Sequence, residues 1–233
     1  GEVLKRTRDY DYRDALLDYT ASVDETLYLG AYDFTFKGGS PYHLHITAGA
    51  HIDAVFPPSG KAGATGSFTV FGRIKESNAF PVILETQPTL VRTGKGEFEK
   101  VNLPAAVSGY FKQDETAGHR YRFTAAKDKS YQIQLAGDDI RGRIDPYLVI
   151  EKITVAADGK ETLKVVKEQD DFSMGSRSAF PNISRDPRIV FKADADGDYQ
   201  ITVLDQYKTE GFASIYRLSV QEAVPDFDLI ANI

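Results

Sequence analysis

Apolar and polar residues alternate with a period of two along most of this chain. Leu27, Leu29 and Ala31 alternate with Tyr28 and Gly30, and the same rhythm runs through Phe68–Phe71, Tyr121–Phe123 and Tyr131–Leu135. It recurs at Ile153–Val155 and Tyr199–Val203. Successive side chains of a strand point to opposite faces, so this rhythm predicts short, half-buried β-strands. Gly, Pro and Asp punctuate the runs, as strand ends require. Asp158-Gly159 separates two such runs, 152–156 and 161–166, and predicts a hairpin whose two turn positions both favour positive φ. Asp196-Gly197 predicts a similar turn before Tyr199. The best helical stretch is Asp11–Tyr19, but its likeness to a later stretch that contains Pro187 and Ile189-Val190-Phe191 assigns it to a strand. The predicted fold class is all-β, with tandem β-sandwich modules of jelly-roll or immunoglobulin-like kind and little helix.

That likeness is an internal repeat. At one constant offset Asp14 falls on Asp186, Ala21 on Ala193, Asp24 on Asp196 and Asp33 on Asp205. After a two-residue shift, Tyr42, Leu44 and Ile46 fall on Tyr216, Leu218 and Val220. Self-similarity of this sort marks an array of modules. The first copy lacks the front half that precedes the second. The expectation is therefore that the chain opens inside a module and is a piece of a longer protein.

Composition narrows the function. With 233 residues, 42% hydrophobic and 12% aromatic, there is material for two or three small cores. The net charge of −6, with Lys and Arg scattered, argues against binding a phosphate backbone, so no nucleic-acid partner is expected. No run approaches the ~20 apolar residues a membrane-spanning helix needs. The absence of cysteine excludes disulfides, thiolate metal sites and a cysteine nucleophile.

The order of motifs from Gly109 to Val220 resembles the bacterial pre-peptidase C-terminal domain, a β-sandwich of roughly a hundred residues. The matching features are Tyr121-x-Phe123, Asp145-Pro146 opening a strand, Asp170-Asp171, Asp186, Asp196-Gly197-x-Tyr199, Asp205 and Tyr216-x-Leu218-x-Val220. Two features depart from the pattern. Gly118-His119-Arg120 stands where an acidic residue is usual, and the loop from Asp171 to Asp186 is long. Residues 9–46 resemble the second half of the same domain. Residues 50–104 resemble an immunoglobulin-type domain of the IPT/TIG kind, through Val55–Gly60 and Phe68–Gly72. The expected layout is a partial module at 1–49, the immunoglobulin-type domain at 50–104, a complete sandwich at 105–222, and a linker or new module at 223–233.

Few residues suggest chemistry. Asp9, Asp11 and Asp14 crowd one predicted loop, and Asp170, Asp171 and Asp186 another. A hard cation such as Ca²⁺ takes six to eight oxygens, which clustered Asp supplies. The resemblance adds that some relatives bind calcium in acidic loops. The competing role is turn capping, in which Asp accepts backbone N–H bonds. Asp194–Asp205 imitates an EF-hand loop but has Tyr199 where the sharp turn demands Gly. His43 and His45 share a strand face with His51 nearby, yet no further ligand is spaced to complete a zinc site. No Gly-x-Ser-x-Gly elbow occurs, and 34 acidic residues make any carboxylate pair uninformative. The absence of Trp disfavours a flat sugar-stacking platform.

The function expected is therefore non-catalytic: structural and adhesive accessory modules of a larger exported bacterial protein, periplasmic, surface-bound or secreted, with Ca²⁺ as the one cofactor the acidic loops would take. The partners expected are other domains of the parent or another protein chain. The first alternative is a binding module for extracellular polymer, either protein fibre or polysaccharide. The second is part of a secreted hydrolase.

Overall fold

The computed structural model describes residues 2–8, 15–33, 39, 41–48, 51–74, 80–112, 115, 117–173, 183–206 and 214–224. The chain divides into two compact units, Gly1–Ala48 and Gly49–Ile233.

Among the described residues of the second unit all regular structure is β. The strands are β1 (His51–Phe56), β2 (Ser59–Lys61), β3 (Thr69–Ile74), β4 (Ile83–Glu85), β5 (Thr89–Val91), β6 (Glu99–Lys100), β7 (Ala105–Tyr110) and β8 (His119–Ala125). They continue as β9 (Ser130–Ala136), β10 (Pro146–Val155), β11 (Glu161–Gln169), β12 (Phe172–Ser173), β13 (Ile183–Ser184), β14 (Arg188–Lys192), β15 (Gly197–Asp205) and β16 (Ile215–Glu222). Two five-stranded sheets, ordered β11-β10-β15-β8-β6 and β14-β9-β16-β7-β5, make a sandwich. Consecutive strands mostly lie in different neighbourhoods, so the sheets are built by crossing over.

The period-two pattern explains the core. On the first sheet Tyr121, Phe123, Leu148, Ile150, Tyr199, Ile201 and Val203 face inward. On the second, Val107, Ile133, Leu135, Ile189, Leu218 and Val220 meet them. Phe123, Tyr131, Phe191 and Tyr199 form an aromatic cluster with ring centroids 5.4 to 6.4 Å apart. Such pairs add about 0.5–1.5 kcal/mol each beyond the area they bury.

β1, β3 and β4 pack on the outer face of the second sheet. β1 and β3 form an antiparallel ribbon, and β2 and β4 a parallel pair. Ala54, Phe56 and Phe71 cluster with Ile140 and Ile215 of the sandwich. Phe56 meets Tyr110 edge-on at 5.1 Å. Glu85 receives both a guanidinium Nε–H and an Nη2–H of Arg217 in a buried bidentate pair. β5 runs parallel to β7, and β6 parallel to β8. The two large sheets thus take in β5 and β6, which lie within residues 50–104.

The Asp158-Gly159 hairpin joins β10 to β11. Only Gly159 has positive φ, at 81°. Asp158 instead uses its carboxylate to accept the Lys160 N–H at 3.0 Å. A side-chain acceptor replaces the second left-handed residue that the dipeptide predicts.

The first unit departs from expectation. Its described residues contain no helix and no strand, so 27–31 and 42–46 are not the strands their alternation predicts. In the second unit, among the described residues, β14 pairs with β9, β15 with β10 and β8, and β16 with β9 and β7. None of these three strands pairs with another of the three, so alternation there becomes a ladder only against strands earlier in the chain.

Candidate metal centre and the polar clusters around it

Antiparallel pairing sets Leu148 of β10 opposite Gln169 of β11. The residue before β10 therefore lies beside those that follow β11. Asp145 precedes Pro146, and Asp170 and Asp171 form the turn into β12. One oxygen of each carboxylate lies within 4.8 Å of the others. Asp145 is half-buried and the other two are exposed.

The site is anchored from its backbone. The Asp145 N–H donates to Asp205 Oδ1 at 3.0 Å, and its carbonyl accepts the Gln206 N–H at 2.8 Å. Gln169 Nε2 donates to the Asp171 carbonyl at 3.1 Å. Burial raises the pKa of the Asp145 carboxyl, the charges of Asp170 and Asp171 raise it further, and Arg185 opposes them. Crowded carboxylates of this sort are relieved by a cation. The all-oxygen donor set suits a hard ion and not zinc. As single donors the three carboxylates would fill half or fewer of the positions Ca²⁺ takes, leaving the rest to carbonyls and water at an exposed corner.

Asp186 has a different role. Its side chain is buried, with Oδ1 accepting the N–H groups of Gly137 at 2.9 Å and Asp138 at 2.8 Å. Oδ2 accepts the Asp139 N–H at 2.8 Å. The carboxylate thereby fixes the tight loop between β9 and β10. Burial raises its pKa to about 6, against the opposing pull of the three amides. Of the six residues the sequence offers as ligands, two come together, Asp170 and Asp171. Asp145, which the sequence presents only as a strand opening, joins them. Asp9, Asp11 and Asp14 lie outside the described residues.

The other acids of the imitation EF-hand are engaged elsewhere. Asp194 accepts Lys152 Nζ at 2.7 Å and the Tyr199 hydroxyl at 3.0 Å. Asp196 accepts the Lys127 N–H at 2.7 Å, and Asp198 the Thr124 hydroxyl at 2.6 Å. Among the described residues no histidine joins a metal-binding group. His43 and His45 meet edge-on at 6.4 Å, and His51 Nε2 lies 3.3 Å from Asp53.

The sandwich also buries a polar chain. His119 Nδ1 lies 2.6 Å from the Tyr216 hydroxyl, which lies 2.5 Å from the Tyr121 hydroxyl. His119 Nε2 is 3.0 Å from Glu115, itself 3.5 Å from Arg92. Phe111 stacks on the imidazole at 4.0 Å. Burial, helped by Arg92, lowers the His119 pKa to about 4, so the ring is neutral at pH 7. Burial alone would raise the pKa of Glu115, but the Lys112 amide and the His119 and Arg92 side chains hold it below its ordinary value. A neutral ring that carries its proton on Nε2 accepts the Tyr216 proton at Nδ1, and Tyr216 in turn accepts from Tyr121. Nε2 lies near Glu115 but makes no hydrogen bond to it, which leaves one buried nitrogen of the chain unsatisfied among the described residues. A Cβ at position 109 would collide with the Tyr216 hydroxyl, so only Gly109 fits there. Alternation offers the clue to His119, which shares the inward face of β8 with Tyr121 and Phe123.

On the outer face of the first sheet, Arg122 makes a bidentate pair with Glu161 at 2.8 and 3.0 Å and covers the Phe98 ring at 3.7 Å. Arg122 also donates to Gln200, whose amide donates to Glu151. An open groove of about 350 Å³ lies beside this ladder, lined by Lys100, Asn102, Leu103, Arg122 and Asp198 among others. Its lining offers one carboxylate and no histidine. No helix among the described residues is long and apolar enough to cross a membrane.

No family model and no curated protein matches the chain. Solved structures do. One is PliG of Aeromonas hydrophila, a periplasmic inhibitor of g-type lysozyme, at 11% identity over 58% of this chain and 100% of that chain, with a TM-score of 0.36. Another is the pre-peptidase C-terminal domain of collagenase from Bacillus anthracis, at 15% identity over 59% and 100%, with a TM-score of 0.33. A third is CorA, a surface-associated copper-binding protein of Methylomicrobium album, at 11% identity over 59% and 100%, with a TM-score of 0.34.

Proposed function

We propose that this chain is a non-catalytic structural and adhesive part of an exported protein, in which a sandwich of the pre-peptidase C-terminal kind takes a hard divalent cation, Ca²⁺ by preference, at one corner. The convergence of Asp145, Asp170 and Asp171 within 4.8 Å carries the reading. The positions of the motifs support the family likeness. Tyr121-x-Phe123 lies on β8, Asp145-Pro146 opens β10, Asp205 closes β15, and Tyr216-x-Leu218-x-Val220 lies on β16. Bound there, the cation would tie the β11–β12 turn to the start of β10 and so stiffen one end of the sandwich.

Thermal unfolding with added calcium tests this. Binding to the folded state alone raises stability by about 2.7 kcal/mol at a hundredfold excess over Kd, which is about 8 °C for a chain of this size. The rise should vanish in the Asp170→Asn/Asp171→Asn double variant. A flat response up to millimolar calcium, or the same rise in the variant, overturns the cation site.

A second reading, a module that binds extracellular polymer, draws on the projecting β10–β11 hairpin. Val155, Leu163 and Val165 lie exposed on one of its faces, beside the Arg122–Glu161 pair. Titration with collagen and with soluble glycans separates the two readings.

A further inference from the structure

The first unit repeats the back half of the sandwich at nine core positions. Leu17, Tyr19 and Ala21 fall on Ile189, Phe191 and Ala193. Leu27, Leu29 and Ala31 fall on Tyr199, Ile201 and Val203, and Tyr42, Leu44 and Ile46 on Tyr216, Leu218 and Val220. Every member of the later set is buried in one core, and every member of the earlier set is apolar. Their environments differ sharply. Leu29, Tyr42 and Ile46 are 54%, 80% and 77% exposed, whereas Ile201, Tyr216 and Val220 are all at 0%.

The sandwich shows what such a segment pairs with. Among the described residues the backbone ladders of β14, β15 and β16 run to β7, β8, β9 and β10. The acidic residues of the back half point the same way. Asp196 accepts the amide of Lys127 and Asp205 that of Asp145, both in front-half loops. Asp24 and Asp33 stand at the matching positions of the first unit. Two independent codes, apolar alternation and amide-capping carboxylates, therefore specify one occupant.

We propose that residues 15–33 and 41–48 are a strand-donating half-module. They fold by interleaving with a front half of the same module type, four strands in the pattern of β7 to β10, carried by another polypeptide segment. Backbone ladders supply the affinity and alternate side chains the specificity, as in strand addition generally. The inference deepens the structural role proposed above but needs no cation, so either idea can fail alone.

The test uses the full chain with a second copy of residues 88–173 fused ahead of it, followed by peptide-resolved hydrogen exchange. In the unfused chain, amides of 27–33 and 42–46 should exchange almost unprotected. In the fusion they should slow by at least ~10³-fold, as strands of a cooperative domain do. Introducing Leu29→Asp and Leu44→Asp into the fusion should abolish the gain. Amides 199–203 report in the same molecule that the resident sandwich is folded. Unchanged exchange at 27–33 and 42–46 with 199–203 still protected overturns the proposal. So does protection that survives the two Asp substitutions.

Discussion

Asp186 sets burial against hydrogen bonding within one carboxylate, and Asp186→Asn separates them. Asn keeps an Oδ1 acceptor for Gly137 and Asp138 but turns an NH₂ toward the Asp139 amide. Gly137 is buried and Asp139 exposed, so water replaces the lost bond. The direct cost is then about 1–2 kcal/mol. The pH dependence is more telling. A folded pKa of about 6, against an ordinary 3.8, means that the native state binds the proton more tightly than the unfolded chain does. Native stability from this group is therefore greatest below 3.8 and is lost as pH rises through 6. Each tenfold in proton affinity is about 1.4 kcal/mol, so the loss between pH 4 and pH 7 is roughly 2 kcal/mol. The stability difference between wild type and Asp186→Asn, from urea unfolding at both pH values, should shrink by that amount toward pH 7. All other titrating groups are common to both proteins and cancel. A difference that instead grows with pH would mean that the three amides outweigh desolvation, and would refute the argument.

His119 gives the opposite slope. Its folded pKa of about 4, below the ordinary 6.5, makes the unfolded chain the better proton acceptor, so stability falls as pH drops through that window. In the Asp186→Asn background urea unfolding should show a loss of about 2 kcal/mol from pH 7.5 to pH 5, and adding His119→Gln should flatten it. Arg217→Ala leaves the buried Glu85 carboxylate without its partner and should lower the unfolding free energy by about 3 kcal/mol. The Glu85→Ala/Arg217→Ala double variant should lose much less than the sum of the two singles, as a denaturant-based cycle would measure.

Side-chain alternation made the long strands legible. Tyr121–Phe123, Tyr131–Leu135 and Tyr199–Val203 lie within β8, β9 and β15, with the predicted residues inward. Asp158-Gly159 located its hairpin because a left-handed Gly leaves a local signature. β5 and β6 were not legible. They have three and two residues, too few for a period, and their parallel partners β7 and β8 begin well downstream in sequence. The acidic corner was half legible. Asp170-Asp171 is visible as a pair, but Asp145 joins it only through the β10–β11 register. The buried Tyr121–Tyr216–His119 chain spans nearly a hundred residues of sequence, so only the inward position of His119 hinted at it. Among the described residues of the first unit the alternation is present and the strands are not. Periodicity reports which face a strand would bury; a ladder also needs a neighbour.

This distinction also sorts the acids. A chain with 34 acidic residues and a net charge of −6 offers many carboxylates, and their number alone says nothing about function. What separates them is whether the fold already satisfies them. Asp186, Asp196 and Asp205 accept amides of front-half loops, and Asp194 and Asp198 accept side-chain donors. These groups hold the later strands of the sandwich to its earlier strands and loops. Asp145, Asp170 and Asp171 differ in kind. One oxygen of each carboxylate lies within 4.8 Å of the others, and burial, with the charges of Asp170 and Asp171 added to it, raises the Asp145 pKa. A cation would gain its binding energy at that corner by relieving repulsion the fold leaves in place, whereas at Asp186 it would first have to displace three backbone hydrogen bonds.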